Sequence, residues 1–499
     1  MHTSYNCKKF KYLVSGTLLF LSSIQLSAQD FDTYKQQRQA TFQAYKQKTQ
    51  EEWEAYRQKV NEDFAEFIKK PWEQKEGEKP KPEPTKVPDI PPVILPEIEI
   101  DIPEDNPIDV DINLPKLDVE PVSIAPIPYK PKPAEKKLIF TFYGTAGSLR
   151  FDTSKKVTLQ GCDETAVSNF WKGLSSEAYD NVVADCQTIR GDRDLCDWAY
   201  YRMTEKVAET LYSTKNERAV FHAWLLTQSG FSIRLGRENG NIHLLLGTTA
   251  LLFGKPYWEL GNGYYSLMDD EKISSMYIMD AHFPETSPLR TRMNANNTLD
   301  RNPAAERGLR SKRYPDTYAH VSCDKNTLAF LQDIPISAIG GTDNADYLMY
   351  GQMPISEKAG HDLLPVLFEQ VAGKTEAEAA NILLNFVQTA FEYKTDGEVW
   401  GRERPFFPEE TLYYPYSDCE DRAILFCNLV REVMRLEVAF VSYPGHLAAA
   451  VHFNEDIPGD YFIVSGKRYL VCDPTYINAP IGWTMPGMNN STAKVYLME

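Results

Sequence analysis

The chain has 499 residues, enough for two or three domains with hydrophobic cores of their own. Its formal net charge is −17, with 70 acidic and 53 basic residues, so binding to nucleic acid or to an anionic membrane surface is disfavoured. Its 32 prolines are unevenly placed, and 16 of them fall between residues 71 and 133.

Residues 1–28 have the features of a signal peptide. Three lysines precede a short apolar stretch, "YLVSGTLLFL", and "QLSAQD" offers a cleavage site after Ala28 or Gln29. The apolar stretch is too short to cross a membrane comfortably, and no later segment resembles a transmembrane helix. We therefore expect an exported protein that is periplasmic, associated with the cell envelope or secreted. Loss of the three lysines makes the mature net charge −20.

An 11-residue aromatic repeat occupies residues 31–68. Two sets of rings recur at this interval: Phe31, Phe42, Trp53 and Phe64, and Tyr34, Tyr45, Tyr56 and Phe67. Eleven residues are close to three helical turns, so the repeat predicts a long amphipathic helix over 29–70. Its stripe is expected to pack on the protein itself or in self-association, or to serve as an arm for a partner or the envelope.

The rest of the chain divides by composition. Residues 71–134 contain too many prolines for a packed core and are expected to form an extended linker. Strand and helix patterns predict a globular domain over 135–284 and a second one over 346–499. The polar, aperiodic start of 285–345 predicts a long connection with some strand.

Seven cysteines follow residue 28, and an odd number leaves at least one without a partner in the same chain. Export permits disulfides without requiring them, and Cys162, Cys186 and Cys196 could include one bridge. Cys427 and Cys472 lie in apolar patterns and are expected to be core residues.

Cys419 is in a different setting, within "YYPYSDCEDRAILF". The following residues have helical periodicity, so Ser417 or Asp418 can cap a helix that begins at Cys419. The helix dipole favours a thiolate at that position, whereas the three neighbouring carboxylates oppose it. A cationic imidazole beside the sulfur would resolve the conflict in favour of the thiolate.

Two residues downstream complete such an arrangement. His446 begins a strand after a Pro-Gly turn, Asp473 ends a later strand, and each step from Cys419 is 27 residues. A helix followed by antiparallel strands can bring the three together, with the imidazole as base and the carboxylate orienting it. We therefore predict that Cys419, His446 and Asp473 form a catalytic triad with Cys419 as nucleophile.

These motifs resemble the transglutaminase-like domain, a branch of the papain-like cysteine protease superfamily. The family has a Cys-Glu-Asp helix start, a histidine opening a strand and an Asp-Pro-Thr on the next strand, matched here by 419–421, His446 and 473–475. The resemblance covers 376–477 and implies an α+β fold with a helix packed on an antiparallel sheet. A departure is that Leu447-Ala448 stands where the family often has Ala-Trp.

The resemblance implies a cysteine hydrolase, a peptidase or amidase, acting on a peptide or protein substrate through an acyl-enzyme. The family also includes protein-crosslinking acyl transferases and inactive members, so a crosslinking enzyme or a non-catalytic binding or scaffold protein of the envelope remains an alternative. The backbone N–H of Cys419 would supply part of an oxyanion hole. Trp400 and Tyr416 are the candidates for its second donor, because the family tends to use an aromatic or amide donor before the cysteine.

The upstream globular part resembles a second, degenerate transglutaminase-like copy. Alignment of "TKNERAVFHAWLLTQSGFSIRL" with "DCEDRAILFCNLVREVMRLEVAF" puts Lys215 in place of Cys419, His243 in place of His446 and Asp269 in place of Asp473. A lysine at a helix N-terminus is a poor nucleophile, so this copy is expected to be non-catalytic.

The remaining histidines and motifs predict no further chemistry. His222 lies in "HAW", which mimics the family's strand motif but falls in a helical pattern, and His452 is expected at the surface or rim of its strand. The sequence has no HExxH, no CxxC pair and no glycine-rich phosphate loop. We therefore predict neither a metal site nor a cofactor.

Overall fold

The protein was analysed as a computed structural model of the whole chain. It describes residues 28–82, 91–96, 104–108, 129, 136–261, 263–269, 271–293, 295–338 and 345–498. The chain forms two compact units, Met1–Gln58 and Lys59–Glu499. The predicted signal peptide, apart from Ala28, lies outside the described residues.

Twelve α-helices occur in the described part of the chain: α1 (Ala28–Ile68), α2 (Glu164–Leu174), α3 (Asp180–Asp192), α4 (Asp197–Leu211), α5 (Lys215–Gln228), α6 (Lys325–Asp333), α7 (Tyr347–Gln352), α8 (Glu357–Val371), α9 (Glu376–Thr389), α10 (Asp396–Val399), α11 (Pro408–Tyr413) and α12 (Cys419–Leu429). A π-helical turn, Val430–Met434, continues α12. The predicted helix over 29–70 is present as α1.

Eighteen strands accompany them in the same described ranges: β1 (Glu73–Glu76), β2 (Asn106–Ile108), β3 (Lys137–Phe142), β4 (Thr145–Arg150), β5 (Ile233–Glu238), β6 (Asn241–Thr248), β7 (Tyr257–Leu260), β8 (Gly263–Leu267), β9 (Ser275–Ile278), β10 (Arg307–Arg310), β11 (Tyr318–Val321), β12 (Glu392–Tyr393), β13 (Tyr416–Ser417), β14 (Glu437–Tyr443), β15 (His446–His452), β16 (Asp460–Val464), β17 (Lys467–Cys472) and β18 (Lys494–Leu497). The fold is therefore mixed α+β, as the sequence predicts.

Five strands in each of two six-stranded sheets share one topology. Their strand orders are β1-β9-β5-β6-β8-β7 and β18-β14-β15-β17-β16-β2. Taken in chain order, β5 to β9 and β14 to β18 occupy the same places, and neighbours within each set of five pair antiparallel. A helix starts just before each set and packs on its second strand, α5 on β6 and α12 on β15.

The core between helices and sheets is apolar and continuous. Buried rings of α2, α4 and α5 fill the first half, and α9, α12, β14 and β15 supply aliphatic side chains to the second. In α12 the predicted core positions Ile424, Leu425 and Leu429 are fully buried. This packing holds the first residues of α5 and α12 against their sheets.

The two repeat rings of α1 that belong to the Lys59–Glu499 unit, Phe64 and Phe67, differ in their exposure to solvent. Phe64 is buried, with its ring centroid 5.0 Å from that of Trp171 and 5.1 Å from that of Phe283. Phe67, in contrast, is 47% exposed. At Phe64, therefore, the aromatic stripe packs on the protein itself, which was one of the expectations for it.

The described parts of the proline-rich stretch lie along both sheets. β1 pairs with β9, and β2 pairs in parallel with β16. Between them, Leu95 donates its backbone N–H to Ile477 O at 2.9 Å. Prolines are tolerated in such segments because they lie at sheet edges. Over these described residues the backbone is extended and hydrogen-bonded to the body.

Two further expectations concern cysteines and membrane spans. All seven described cysteines are unpaired, so the bridge considered among Cys162, Cys186 and Cys196 does not form. Both residues are buried: Cys186 packs in the helical core as a small apolar side chain, and Cys196 caps α4, with its Sγ accepting from the backbone N–H of Ala199 at 3.5 Å. Among the described helices, none is both long and apolar enough to span a membrane.

The contact between the proline-rich stretch and the first sheet leads to a stability prediction. A Cβ on Gly77 would lie 2.8 Å from two ring carbons of Trp258, which is buried. We expect Gly77→Ala to lower the free energy of unfolding by about 1–3 kcal/mol, measured by urea denaturation. Gly191→Ala, in a helix with no atom within 4 Å of the added Cβ, is the matched control and should be neutral or stabilising. Equal changes in the free energy of unfolding for the two variants would show that the backbone at Gly77 does not pack against Trp258.

Candidate active site

Cys419 is the first residue of α12 and is half-buried. Asp418 is the N-cap, and its backbone N–H donates to the Asp421 carboxylate at 3.3 Å. The remainder of the helix is buried, so the thiol sits at the open end of a fixed element. Unpaired N–H groups at that end favour negative charge on the sulfur.

Arg422 fixes the start of this helix from the inside. Its guanidinium is buried and donates to Ser417 Oγ at 3.1 Å, to Gln388 O at 3.3 Å and to Phe391 O at 3.0 Å. Burial lowers its pKa to about 10, even though nearby acidic groups act to raise it. The side chain therefore joins the helix start to the end of α9.

His446 and Asp473 form a buried pair. His446 opens β15, Asp473 follows β17, and these two strands pair at Ala449 and Cys472. His446 Nε2 lies 2.8 Å from Asp473 Oδ2, and the two residues are 3% and 2% exposed. The other carboxylate oxygen, Oδ1, accepts from the backbone N–H of Thr475 at 2.8 Å. The carboxylate is thereby oriented from both sides.

Two neighbouring groups set the protonation of the His446 imidazole. Burial would lower the His446 pKa, but the charge and hydrogen bond of Asp473, followed by the nearby Cys419 sulfur, raise it to about 10. Nδ1 is buried and has no hydrogen-bond partner among the described residues. Because Nε2 is taken by Asp473, Nδ1 is the ring atom left for Cys419. The structure thus brings together the three residues predicted from the sequence.

A cavity of about 200 Å³ opens onto the thiol and the imidazole. Besides Cys419 and His446, its lining includes Tyr347, Glu403, Glu420 and Lys494. Tyr347 is half-buried, and its hydroxyl has no hydrogen-bond partner among the described residues. Burial, followed by the charges of Glu420 and Glu403, raises its pKa well above the usual value, so the phenol stays a neutral donor.

Tyr347 lines this cavity, whereas the two residues predicted as oxyanion donors do not. Neither Trp400 nor Tyr416 lines it. The Trp400 ring packs instead against Phe406 and Tyr414, and its Nε1 is buried without a partner in the described structure. Tyr416 stacks on Tyr414. Tyr347 is more than 70 residues upstream in an unremarkable helix, so no local sequence signal identifies it.

Carboxyl groups crowd the other side of Cys419. The thiol donates to Glu420 Oε2 at 3.1 Å. Asp396, Glu403 and Glu420 each place an oxygen within 4.8 Å of the others, close enough to hold a cation. They come from different loops and helices, which is why the search for metal motifs in the sequence did not reveal the cluster.

Burial and mutual repulsion disfavour ionisation in this cluster. Burial, and then the charge of Asp418, raise the Asp396 pKa to about 9. Burial, and then the charge of Glu403, raise the Asp418 pKa to about 6. Glu420 is shifted well above its usual pKa by burial, then by Asp418 and Cys419. The environment thus works against the thiolate that His446 favours.

The first half of the fold carries a parallel cluster. Lys215 is the first residue of α5, His243 lies on β6 and Asp269 follows β8. His243 Nδ1 is 3.3 Å from Asp269 Oδ2, and Lys215 Nζ is 3.1 Å from the same oxygen. Lys215 also pairs with Glu271. Burial would lower the Lys215 pKa, but these two carboxylates raise it, so the amine stays charged.

Other predicted assignments concern single residues. His222 is buried in α5, and its Nε2 contacts Thr204 Oγ1 at 3.0 Å, which confirms a helix histidine. Cys427 and Cys472 are fully buried, as expected for core residues. His452 is half-buried at the end of β15 and bonds Arg468 O at 2.9 Å. None of the four lines the cavity at Cys419.

Comparison of the chain with protein-family models, curated proteins and solved structures found no match.

The raised Asp396 pKa leads to a pH-dependent prediction. The unfolded carboxyl ionises near 3.8 and the folded one near 9, so ionisation costs folded-state stability progressively between these values. An asparagine at position 396 cannot ionise, and its side-chain oxygen can still accept from the backbone N–H of Arg404. We expect Asp396→Asn to raise the free energy of unfolding by roughly 1–3 kcal/mol at pH 8 and by almost nothing at pH 4.

Urea unfolding at the two pH values measures this difference. Asp316→Asn, which changes an exposed aspartate, is the matched control and should show no such pH dependence. A gain of equal size at pH 4 and pH 8 would contradict the assignment of repulsion at Asp396.

Proposed function

We propose that the protein is an exported cysteine hydrolase of the transglutaminase-like kind, cleaving a peptide or amide bond through an acyl-enzyme. The buried His446–Asp473 pair, 2.8 Å apart and opening with Cys419 onto one cavity, carries this proposal. An imidazole held by a buried carboxylate beside a thiol at a helix start is the arrangement that activates a sulfur nucleophile.

The chemistry follows from the positions of the three groups. In the reactive state the Cys419 proton is carried by His446 Nδ1 in a thiolate–imidazolium pair, and the Cys419 sulfur attacks the substrate carbonyl carbon to form a tetrahedral intermediate. The imidazolium returns that proton to the leaving nitrogen as the C–N bond breaks, which leaves a thioester. Water, deprotonated by the same imidazole, then attacks the thioester and releases the acid and the thiol.

Two donors are available for the oxyanion of the intermediate. The backbone N–H of Cys419 lies in the first turn of α12, where N–H groups have no partner within the helix. Tyr347 adds a neutral phenol in the same cavity with no hydrogen-bond partner in the described chain. Asp473 holds the imidazole by Nε2, so that Nδ1 is left for the proton exchange.

The first half of the fold is proposed to be a degenerate copy. Its five core strands have the same order as those of the second half, and Lys215, His243 and Asp269 occupy matching elements. A charged amine held by two carboxylates has no lone pair for attack, so this copy does not catalyse the reaction.

A binding or scaffold protein without turnover is the second candidate. The observation that favours it is the acidic surrounding of Cys419, whose thiol donates to Glu420 rather than to the imidazole. A protein-crosslinking acyl transferase would use the same triad and differ only in accepting an amine in place of water. The reactivity of Cys419 separates the enzymes from the scaffold.

We predict that iodoacetamide labels Cys419 at pH 7 much faster than Cys162, which is also half-buried. With its pKa raised to about 10, His446 is cationic at that pH and favours the thiolate beside it. His446→Ala should slow labelling of Cys419 by about 10–100-fold, and His361→Ala, at an exposed position, should not. Labelling is followed by mass spectrometry. Equal labelling rates at Cys419 and Cys162, unchanged by His446→Ala, would contradict the hydrolase and favour the scaffold protein.

Tyr347→Phe separates a role in the transition state from activation of the thiol. Attack on a carbonyl creates an oxyanion, whereas alkylation by iodoacetamide does not. We expect the variant to lower kcat on an activated ester by about 100-fold while leaving the alkylation rate of Cys419 unchanged. Tyr461→Phe, on a strand outside the cavity, is the control. A parallel fall in both rates would show that Tyr347 acts only on structure or on the thiol.

A further inference from the structure

The turn that follows Asp473 is wrapped around one buried side-chain amide. Gln388, in the last turn of α9, is 2% exposed and donates from Nε2 to three backbone oxygens: Tyr476 O at 2.7 Å, Ala479 O at 3.0 Å and Asp473 O at 3.2 Å. The two hydrogens of the amide nitrogen are shared among these three carbonyls. One side chain therefore contacts the start, the middle and the end of residues 473–479.

The oxygen of the same amide is also engaged. Gln388 Oε1 accepts from the backbone N–H of Asn478 at 3.2 Å and from Asn385 Nδ2 at 3.4 Å. Three carbonyls at the nitrogen and two N–H groups at the oxygen are satisfied by only one orientation of the amide. A methionine at this position would have the same length but would neither donate to the carbonyls nor replace the oxygen as an acceptor.

The same turn orients the Asp473 carboxylate. Its Oδ1 accepts from the backbone N–H of Thr475 at 2.8 Å, and Thr475 lies between two of the residues whose carbonyls bind Gln388. Its Oδ2 is 2.8 Å from His446 Nε2. A shift of this turn would therefore move the carboxylate that holds the imidazole.

Gln388 is also connected to the start of α12. Its backbone carbonyl accepts from the guanidinium of Arg422 at 3.3 Å, and Arg422 lies three residues after Cys419. The side chain of Gln388 thus reaches the turn that carries the carboxylate, and its main chain reaches the helix that carries the thiol. Substitution of the side chain removes the first connection and leaves the second in place.

We propose that Gln388 is a positioning residue of the site, which acts through Asp473 to keep the His446 imidazole in place for the nucleophile. The inference rests on the proposed function for the role of the triad, and it adds the residue that fixes the position of its carboxylate. Buried carbonyls left without a donor cost free energy, so the turn would rearrange if the amide were removed. That rearrangement would weaken the bond by which the carboxylate orients the imidazole and supports its charge.

Alkylation of Cys419 by iodoacetamide measures the effect in the mature protein. Gln388→Met should slow labelling at pH 7 by about 5–10-fold and shift the pH profile of the rate towards that of a free thiol. Asn381→Leu is the matched control, because Asn381 lies on the same helix and its Oδ1 accepts from the backbone N–H of Ile481 at 3.0 Å, beyond the turn. This control should leave the rate and its pH profile unchanged.

A double-mutant cycle separates positioning from a general loss of structure. If Gln388 acts through Asp473, the double variant Gln388→Met/Asp473→Asn should label at the rate of Asp473→Asn alone, within about 2-fold. Effects that multiply would overturn the proposal. Urea unfolding shows whether each variant is folded. Should Gln388→Met fail to fold, Gln388→Asn takes its place, because its amide is one methylene shorter and cannot reach all three carbonyls.

Titration of His446 by NMR does not depend on a reactive thiol or on turnover. In protein labelled with ¹³C in histidine, with the signal assigned by His446→Ala, Gln388→Met should lower the His446 pKa and Asn381→Leu should not. Gln388 is uncharged, so its substitution alters none of the other titratable groups near the imidazole, which are Cys419, Tyr443, Tyr347, Glu403, Glu420 and Lys494.

The outcomes distinguish the two proposals. If no peptide or ester is hydrolysed but the His446 pKa falls in Gln388→Met, the hydrolase fails and the positioning role stands. If hydrolysis is seen and the His446 pKa is unchanged in Gln388→Met, the positioning role is overturned and the hydrolase remains.

Discussion

The buried hydrogen bond between His446 and Asp473 is the interaction on which the proposed chemistry depends. It places a cationic imidazole inside the protein, where a lone charge would be costly, and the carboxylate partner makes that charge tolerable. The two residues come from neighbouring strands whose pairing sets their distance. Cys419 then needs only a helix that starts above the same sheet, and α12 supplies it.

The same scaffold occurs twice with different chemistry. In the first half, the position at the helix start is filled by Lys215, whose ammonium is neutralised by two carboxylates. In the second half it is filled by a thiol that lines one cavity with a histidine. Equal strand order with unequal site residues shows that the sheet provides the positions, whereas the side chains decide whether a nucleophile exists.

Acidic groups give the second site its particular character. The carboxyls of Asp396, Glu403 and Glu420 lie close together beside Cys419, and their surroundings oppose the thiolate that His446 favours.

The sequence by itself determined the parts that depend on local pattern and order: the α+β class, the helix that starts at Cys419, and a histidine and an aspartate at strand ends on the same side. Helix and strand periodicity carry this information because each repeats within a few residues. Only the tertiary structure decided which distant groups meet. Tyr347 and the Asp396–Glu403–Glu420 carboxyl cluster lie beside Cys419 through loops and helix ends, and the proline-rich stretch reaches the sheet edges through backbone hydrogen bonds. Such contacts leave no period or motif in the chain, because nonlocal packing, rather than local propensity, brings them together.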